Sequence, residues 1–296
     1  MKDGMIHALL CDGQVAAQVI SCGRLVETAR ILHGTSPCAT AALGRTLAGA
    51  LLMCSRIKND KEKLSVVIKG GGIAGQIIAT VNNAGEAKGY IQNPEADLPL
   101  RFDGKLDVGG IVGNAGTVTV IRDSGSGEPY VGVVKLVSGE IAEDIAQYYQ
   151  TSEQQPAAVL LGVLVDRQGK VMNAGGMLLT PLPECGESAL AELERKVYSL
   201  APITELLPKY ECLEELLHDC FWDIGVKPLE ETSVQYHCDC SRERMLGALA
   251  SIGKQDLEEL AQSAEPIELQ CQFCNQKYTF MPQELSACVN GIKENE

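Results

Sequence analysis

With 296 residues and an apolar fraction of 45%, the chain is long enough to bury one substantial core and carry smaller pieces beside it. A formal net charge of −14 argues against a nucleic-acid partner, because affinity for the phosphate backbone rests on clustered lysine and arginine. Twelve cysteines, behind a start with no secretory pattern, point to reduced thiols in metal or redox chemistry rather than a disulfide scaffold, and the expected compartment is the cytoplasm.

Residues 5–20 alternate loosely and read as a first strand or hairpin arm. Ser36-Pro37 is a helix start, an N-cap serine followed by proline at the first helical position, and the helix runs to about Ile57. Ala39, Ala41, Ala42, Gly44, Ala48, Gly49 and Ala50 let neighbours approach it closely, which places it buried against a sheet. Residues 63–69 read as a strand entering Gly70-Gly71-Gly72-Ile73-Ala74-Gly75. That run fits G-x-G-x-x-G, with Glu95 twenty residues on. The β-branched stretch 76–81 and the turn 82–85 follow too soon for a crossover helix, so a glycine-rich hairpin is the better reading. No GK[ST] sequence occurs, and nothing suggests ATP hydrolysis.

Residues 104–116 are loop-like. Stretches 117–122 and 130–137 read as strands, and a short helix carrying Tyr148 and Tyr149 lies between Ser138 and Pro156. Strands 157–165 and 170–179 flank the turn 166–169. No unbroken apolar run approaches the ~18 residues of a bilayer span, and no membrane partner is expected. Strands joined by short turns, with helices between, predict an α+β domain with a largely antiparallel sheet over residues 1–183.

Pro181 and Pro183 mark a boundary. Beyond it, Leu190, Leu193, Val197 and Leu200 recur at helical spacing, as do Tyr210, Leu213, Leu217 and Phe221. Residues 184–232 carry a net charge of −8, so this acidic helical linker should be ordered only while its apolar stripes are docked.

Residues 233–296, at net −5, form the last module. His237-Cys238-Asp239-Cys240-Ser241 opens it, and Cys271-Gln272-Phe273-Cys274 follows thirty residues on. Chance pairs are expected among twelve cysteines, but a CxC and a CxxC at this separation match a closed tetrahedral zinc site. Alternating Ile267-Glu268-Leu269 and Tyr278-Thr279-Phe280 frame the second pair as a hairpin with a zinc knuckle at its tip. Four cysteines fill the shell, which leaves His237 adjacent rather than ligating. Arg242, Arg244 and Lys277 are near enough in sequence to balance the thiolate charge. Met245, Leu249 and Ile252 form one helical face and Leu257, Leu260 and Ala261 another; Pro282 begins a last short helix. Cys11, Cys22, Cys38, Cys54, Cys185, Cys212, Cys220 and Cys288 show no ligand spacing, and most are read as small buried hydrophobes.

Taken in order, His33-Gly34-Thr35, Ala41-Ala42-Leu43-Gly44-Arg45-Thr46, the 70–75 glycines, Gly104 to Val108, Val137-Ser138-Gly139-Glu140, Ser152-Glu153-Gln154, Ala174-Gly175-Gly176 and the two cysteine pairs resemble the heat-shock protein 33 family, redox-regulated chaperonins of bacteria. Ser241, Arg244, Phe273 and Tyr278 also fit the resemblance, which covers nearly the whole chain. It implies an ATP-independent holdase and not an enzyme. One Zn2+ per chain would be held by Cys238, Cys240, Cys271 and Cys274 in an inactive, reduced protein. Oxidation would form disulfides Cys238–Cys240 and Cys271–Cys274 and release the zinc. The activated form would bind unfolding client proteins and associate as a homodimer.

Three other readings of the cysteines compete. A zinc-ribbon nucleic-acid binder needs a basic face that this acidic module lacks. A thiol–disulfide redox protein using Cys271 and Cys274 would need a thioredoxin-type βαβ setting, which the surrounding pattern does not offer. A zinc enzyme needs an open coordination position, and four thiolates close it.

Overall fold

A computed structural model describes residues 1–54, 62–250, 256, 259, 260, 262 and 265–285. The expected helix end at Ile57, and Ile252, Leu257, Ala261 and Cys288, lie outside them. The chain divides into two compact units, Met1–His237 and Cys238–Glu296.

In the first unit the order is β1 (Gly4–Leu10), β2 (Val15–Ser21), α1 (Gly23–His33), α2 (Pro37–Cys54), β3 (Lys63–Lys69), β4 (Gln76–Asn82), β5 (Glu86–Ile91), α3 (Val108–Val112), β6 (Thr117–Asp123), β7 (Tyr130–Lys135), α4 (Ala142–Thr151), β8 (Ala158–Val165), β9 (Val171–Pro181), α5 (Glu187–Ser199), α6 (Ile203–Leu206), α7 (Leu213–Phe221), β10 (Val226–Ser233) and β11 (Gln235–Tyr236). One sheet is ordered β10-β1-β2-β9-β8 and the other β11-β5-β4-β3-β6-β7. Every pairing is antiparallel except β11 on β5. The α+β class with largely antiparallel sheets is as the sequence predicts.

Helix α2 is the centre of this unit. Ser36 Oγ accepts from the Ala39 N–H at 3.2 Å, as its N-cap position requires. The helix is apolar on all sides and packs against strands of both sheets, which is the expected fate of a helix without a polar face. It has one property that unbroken apolar runs do not reveal. By length and mean hydropathy (1.3) it passes for a membrane span, because Thr40, Gly44, Arg45 and Thr46 interrupt the run without making it polar. In the fold 89% of that window is buried inside the protein, so it is a core helix.

The first sheet is apolar on both faces. Side chains alternate along a strand, so neighbouring residues serve different cores. Leu178 of β9 and Ile20 of β2 face the core built around α2. Met177 and Leu179 of β9, with Ala17 and Val19 of β2, face the opposite way into a second core. That second core is closed by the acidic segment: Leu193 of α5, Ile203 and Leu206 of α6, and Leu213, Leu217 and Phe221 of α7. The two helical stripes expected after Pro183 are thus present, and their cover is the outer face of β1, β2 and β9.

Several elements go beyond the sequence reading, α1, α3 and β10 among them. Residues 104–116 are not all loop: α3 forms one turn, capped by Asp107, whose Oδ1 accepts from the Gly110 N–H at 2.9 Å. Helix α1 precedes α2, and it ends at Gly34 in the left-handed region (φ 62°). Strand β10 occupies the end of the acidic segment and pairs with β1.

The glycine run is the hairpin the sequence reading preferred, with Lys69 opposite Gln76. Its Gly72 and Ala74 N–H groups donate to the carbonyls of Val112 and Ile111 at 2.9 and 2.8 Å, so they are not free to cradle a phosphate. A Cβ at Gly70 would lie 2.2 Å from the Val112 carbonyl oxygen and 2.3 Å from that of Gly113. Backbone cannot yield as a side-chain tip can. Gly70→Ala is therefore expected to cost at least about 3 kcal/mol, read as a lowered urea midpoint.

Candidate metal centre

The second unit contains α8 (Arg242–Ala250), β12 (Ile267–Gln270) and β13 (Lys277–Phe280), with residues 282–285 also helical. Among the described residues its apolar core is small. Leu249, Phe280 and Leu285 are buried, with Met245, Leu246, Leu260, Ile267, Leu269 and Tyr278 partly so. The faces of Met245, Leu249 and Leu260 expected from the helical pattern meet there. A core of this size does not stabilise a module of some sixty residues on its own, and a covalent or metal staple is the usual remedy.

Each cysteine pair is positioned by a local motif. Cys238 and Cys240 lie just before α8, where Ser241 serves as N-cap: its Oγ accepts from the Arg244 N–H at 3.3 Å and its carbonyl from the Met245 N–H at 3.0 Å. Cys271 and Cys274 occupy the turn between β12 and β13. There the Asn275 N–H donates to the Cys271 carbonyl at 2.8 Å and the Cys271 N–H to the Gln276 carbonyl at 2.9 Å, and Asn275 takes a left-handed backbone (φ 60°) that asparagine tolerates. The result is the knuckle-tipped hairpin the alternation predicts, paired Ile267 to Phe280 through Gln270 to Lys277.

The four sulfurs lie within 4.8 Å of one another. Two separations run across the motifs, Cys238 Sγ to Cys271 Sγ at 3.7 Å and Cys240 Sγ to Cys274 Sγ at 3.4 Å. A tetrahedral zinc–thiolate site with bonds near 2.3 Å has sulfur–sulfur edges of about 3.8 Å, so this donor set fits that ion in number, type and spacing. His237 is outside the cluster; its N–H donates to the Ala87 carbonyl at 2.9 Å.

Protonation at the cluster is uneven. Burial pushes the Cys238 thiol up, and burial likewise pushes Cys274 up to about 11. At Cys240 burial acts in the same sense, but hydrogen bonds from Tyr278 and the other three thiols outweigh it and hold the group below the ordinary thiol range. A divalent cation at this point would let all four thiols ionise. Tyr278 Oη is 3.1 Å from Cys240 Sγ, and the phenol itself is pushed up to about 12, first by that bond. Its position in β13 was visible in the sequence, but its partner 38 residues away was not. Tyr278→Phe removes the bond and raises the Cys240 pKa, so proton competition at neutral pH increases. Metal affinity is expected to fall by about 10-fold or more, measured by competition with a chromophoric chelator.

The cations expected to balance the thiolates are each engaged by a carboxylate. Arg242 pairs with Glu284 at 2.7 Å and stacks 4.4 Å above the Phe280 ring; Lys277 pairs with Glu268 at 2.7 Å; Arg244 pairs with Asp239. Among the remaining described cysteines, Cys11, Cys22, Cys38, Cys54 and Cys220 are buried, Cys185 is half-buried and Cys212 is exposed.

The N-terminal residues that carry the family resemblance act structurally. Arg45 pairs with Glu140 at 2.6 Å, and Glu153 accepts from Arg122 at 2.9 Å and from Tyr148 at 2.8 Å.

Comparison with known proteins agrees with this architecture. The family model described as Hsp33 protein matches residues 3–281. A 33 kDa chaperonin of Clostridium botulinum (strain Langeland) is 43% identical over 295 residues, covering 100% of this chain and 98% of the relative. One of Thermoanaerobacter sp. (strain X514) is 40% identical, covering 99% and 100%. The crystal structure of the 33 kDa chaperonin, heat shock protein 33 homolog, of Thermotoga maritima superposes with a TM-score of 0.87 at 33% identity, covering all of both chains.

Proposed function

Because the chain belongs to the Hsp33 family of chaperones, we propose that it is a redox-regulated, ATP-independent holdase, held inactive by zinc on Cys238, Cys240, Cys271 and Cys274. The observation that carries this reading is the convergence of four free thiols on a module whose apolar core, among the described residues, centres on Leu249, Phe280 and Leu285. Bound there, zinc would supply charge neutralisation for four thiolates and a link between α8 and the β12–β13 hairpin. Structural zinc contributes roughly 10–16 kcal/mol of apparent folding free energy, against total stabilities of about 5–15 kcal/mol for whole domains.

Oxidation removes the ligands. Within each pair two thiols give up two protons and two electrons to form one disulfide, Cys238–Cys240 or Cys271–Cys274, and a peroxide accepting them leaves as water or alcohol and water. Two disulfides leave no thiolate to hold a metal, and the module loses its staple. Cys238 follows in the chain directly on β10 and β11, the strands that fasten the end of the acidic segment to β1 and β5. Most residues of β10 are exposed, and it is an edge strand, so it has little apolar burial to resist peeling. In this reading the segment 184–232 is the responsive linker between a core domain, 1–183, and the switch module, 233–296. Its release exposes the apolar face of β1, β2 and β9 and the stripes that covered it, a surface able to hold unfolding proteins. Dimerisation of the oxidised form and a cytoplasmic location belong to the same proposal.

The test follows light scattering from a heat-unfolding client and zinc release in one cuvette, with reduced and peroxide-treated protein. Scattering is expected to fall only for oxidised protein and in step with zinc release. Zinc release with undiminished aggregation would make the site purely structural.

A further inference from the structure

A second group of thiols lies far in sequence from the cysteine cluster. The turn joining β1 to β2 contains Cys11, on a left-handed backbone (φ 53°), and it touches two parts of the acidic segment. The Cys11 N–H donates to the Ile224 carbonyl at 3.0 Å, and the Cys11 thiol faces the Ala189 carbonyl of α5 at 4.0 Å. Cys185 precedes α5, and its thiol faces the Gly186 carbonyl at 3.7 Å. The two sulfurs therefore lie against carbonyls of the same first helical turn, three residues apart. Gln14 holds the two stretches together: its carbonyl accepts from the Leu182 N–H at 2.8 Å and its Oε1 from the Gly186 N–H at 3.0 Å. Beside Cys11 opens a polar cavity of about 430 Å³, lined also by Asp12, Gln14, Gly186, Ser188 and Glu192, with room for a small oxidant; Cys185 lies outside its lining and is half-buried.

We propose that Cys11 and Cys185 are a second redox pair, whose disulfide fastens the start of α5 to the β1–β2 turn and so limits how far the acidic segment can be released. The limiting role rests on the holdase reading given above; the disulfide does not. Cys185, the more accessible of the two, is the first to react. Its thiol and a peroxide ROOH give the sulfenic acid and ROH. The Cys11 thiol then attacks that sulfur, forming the S–S bond and expelling one water. Burial foremost, then the Glu192 carboxylate, pushes the Cys11 thiol up to about 11, which makes it the poorer of the two for the first attack.

The experiment uses the full chain, reduced and zinc-loaded, with Cys185→Ser beside wild type. Both are treated with hydrogen peroxide, alkylated, and digested without reductant for mass spectrometry; hydrogen exchange is followed over residues 187–199. A peptide linking Cys11 to Cys185 within one chain is expected in wild type and absent from the variant. Exchange across α5 after oxidation should be at least about tenfold slower in wild type than in C185S. Absence of that peptide while Cys238–Cys240 and Cys271–Cys274 disulfides form overturns the proposal, and so does linkage of Cys185 to a second chain. Equal exchange with the peptide present overturns the fastening role. Peptide and slowed exchange with no client protection by either protein uphold this proposal and refute the holdase reading instead.

Discussion

Cys274→Ser is expected to leave the reduced protein with close to no bound zinc and an unfolded C-terminal module. A serine hydroxyl is a hard, neutral donor that cannot replace the fourth thiolate at neutral pH. The three remaining sulfurs would have to hold the ion without the one that lies 3.4 Å from Cys240. The module has little else to keep it together, since Leu249, Phe280 and Leu285 are its buried apolar residues among those described. Loss of most of the roughly 10–16 kcal/mol that structural zinc provides exceeds what such a core offers. Amides of β12 and β13 should lose protection from hydrogen exchange, while those of α2, buried between the two sheets, keep theirs. Zinc content is read by chelator titration. A variant with a full complement of metal and an unchanged exchange pattern would show that Cys274 is not a ligand.

The second large effect is expected at the docked segment. Phe221→Ala should produce a holdase that no longer needs oxidant. Phe221 is fully buried at the end of α7, in the core shared with β1, β2 and β9. Truncating a buried phenylalanine costs about 3–5 kcal/mol, a large share of whatever holds three short helices and a segment of net charge −8 in place. The reduced, zinc-loaded variant is expected to suppress client light scattering with no peroxide present and to exchange its amides rapidly over residues 213–221. Replacing Glu215, exposed on the other side of α7, should do neither. A Phe221→Ala protein that stays inactive until oxidised would separate the apolar docking of α7 from regulation.

How much of this was legible in the sequence depends on how local the signal is. Strand β3 falls on 63–69 as read, because Leu64, Val66 and Ile68 alternate with half-buried residues and one face is committed to the core. The four-cysteine cluster was legible for the same reason, since each cysteine pair is a local spacing and the local turn does the placing. Helix α1 escaped because Cys22 provides no side-chain cap and only Leu25, Val26 and Ala29 are buried, too few to set a period. Strand β10 escaped because an exposed edge with Lys227, Glu230 and Glu231 carries no alternation; only its pairing with β1 defines it. The membrane-like character of α2 is averaged over eighteen residues, whereas unbroken runs register only contiguity. Contacts across long sequence separations, such as Tyr278 on Cys240 or Cys11 on the Ala189 carbonyl, leave no mark in the linear pattern at all.

The sheet that carries β1, β2 and β9 is apolar on both sides, and its two sides answer to different partners. A sandwich built this way fails by delamination rather than by collapse. Lifting the outer layer of α5, α6 and α7 removes cover from Ala17, Val19, Met177 and Leu179, yet Ile20 and Leu178 on the reverse side keep their packing around α2. The peel therefore stops at the sheet. If oxidation lifts the layer as proposed, what it leaves would be a solid plate with one sticky side, in place of a molten chain, open to lamination again when the layer returns.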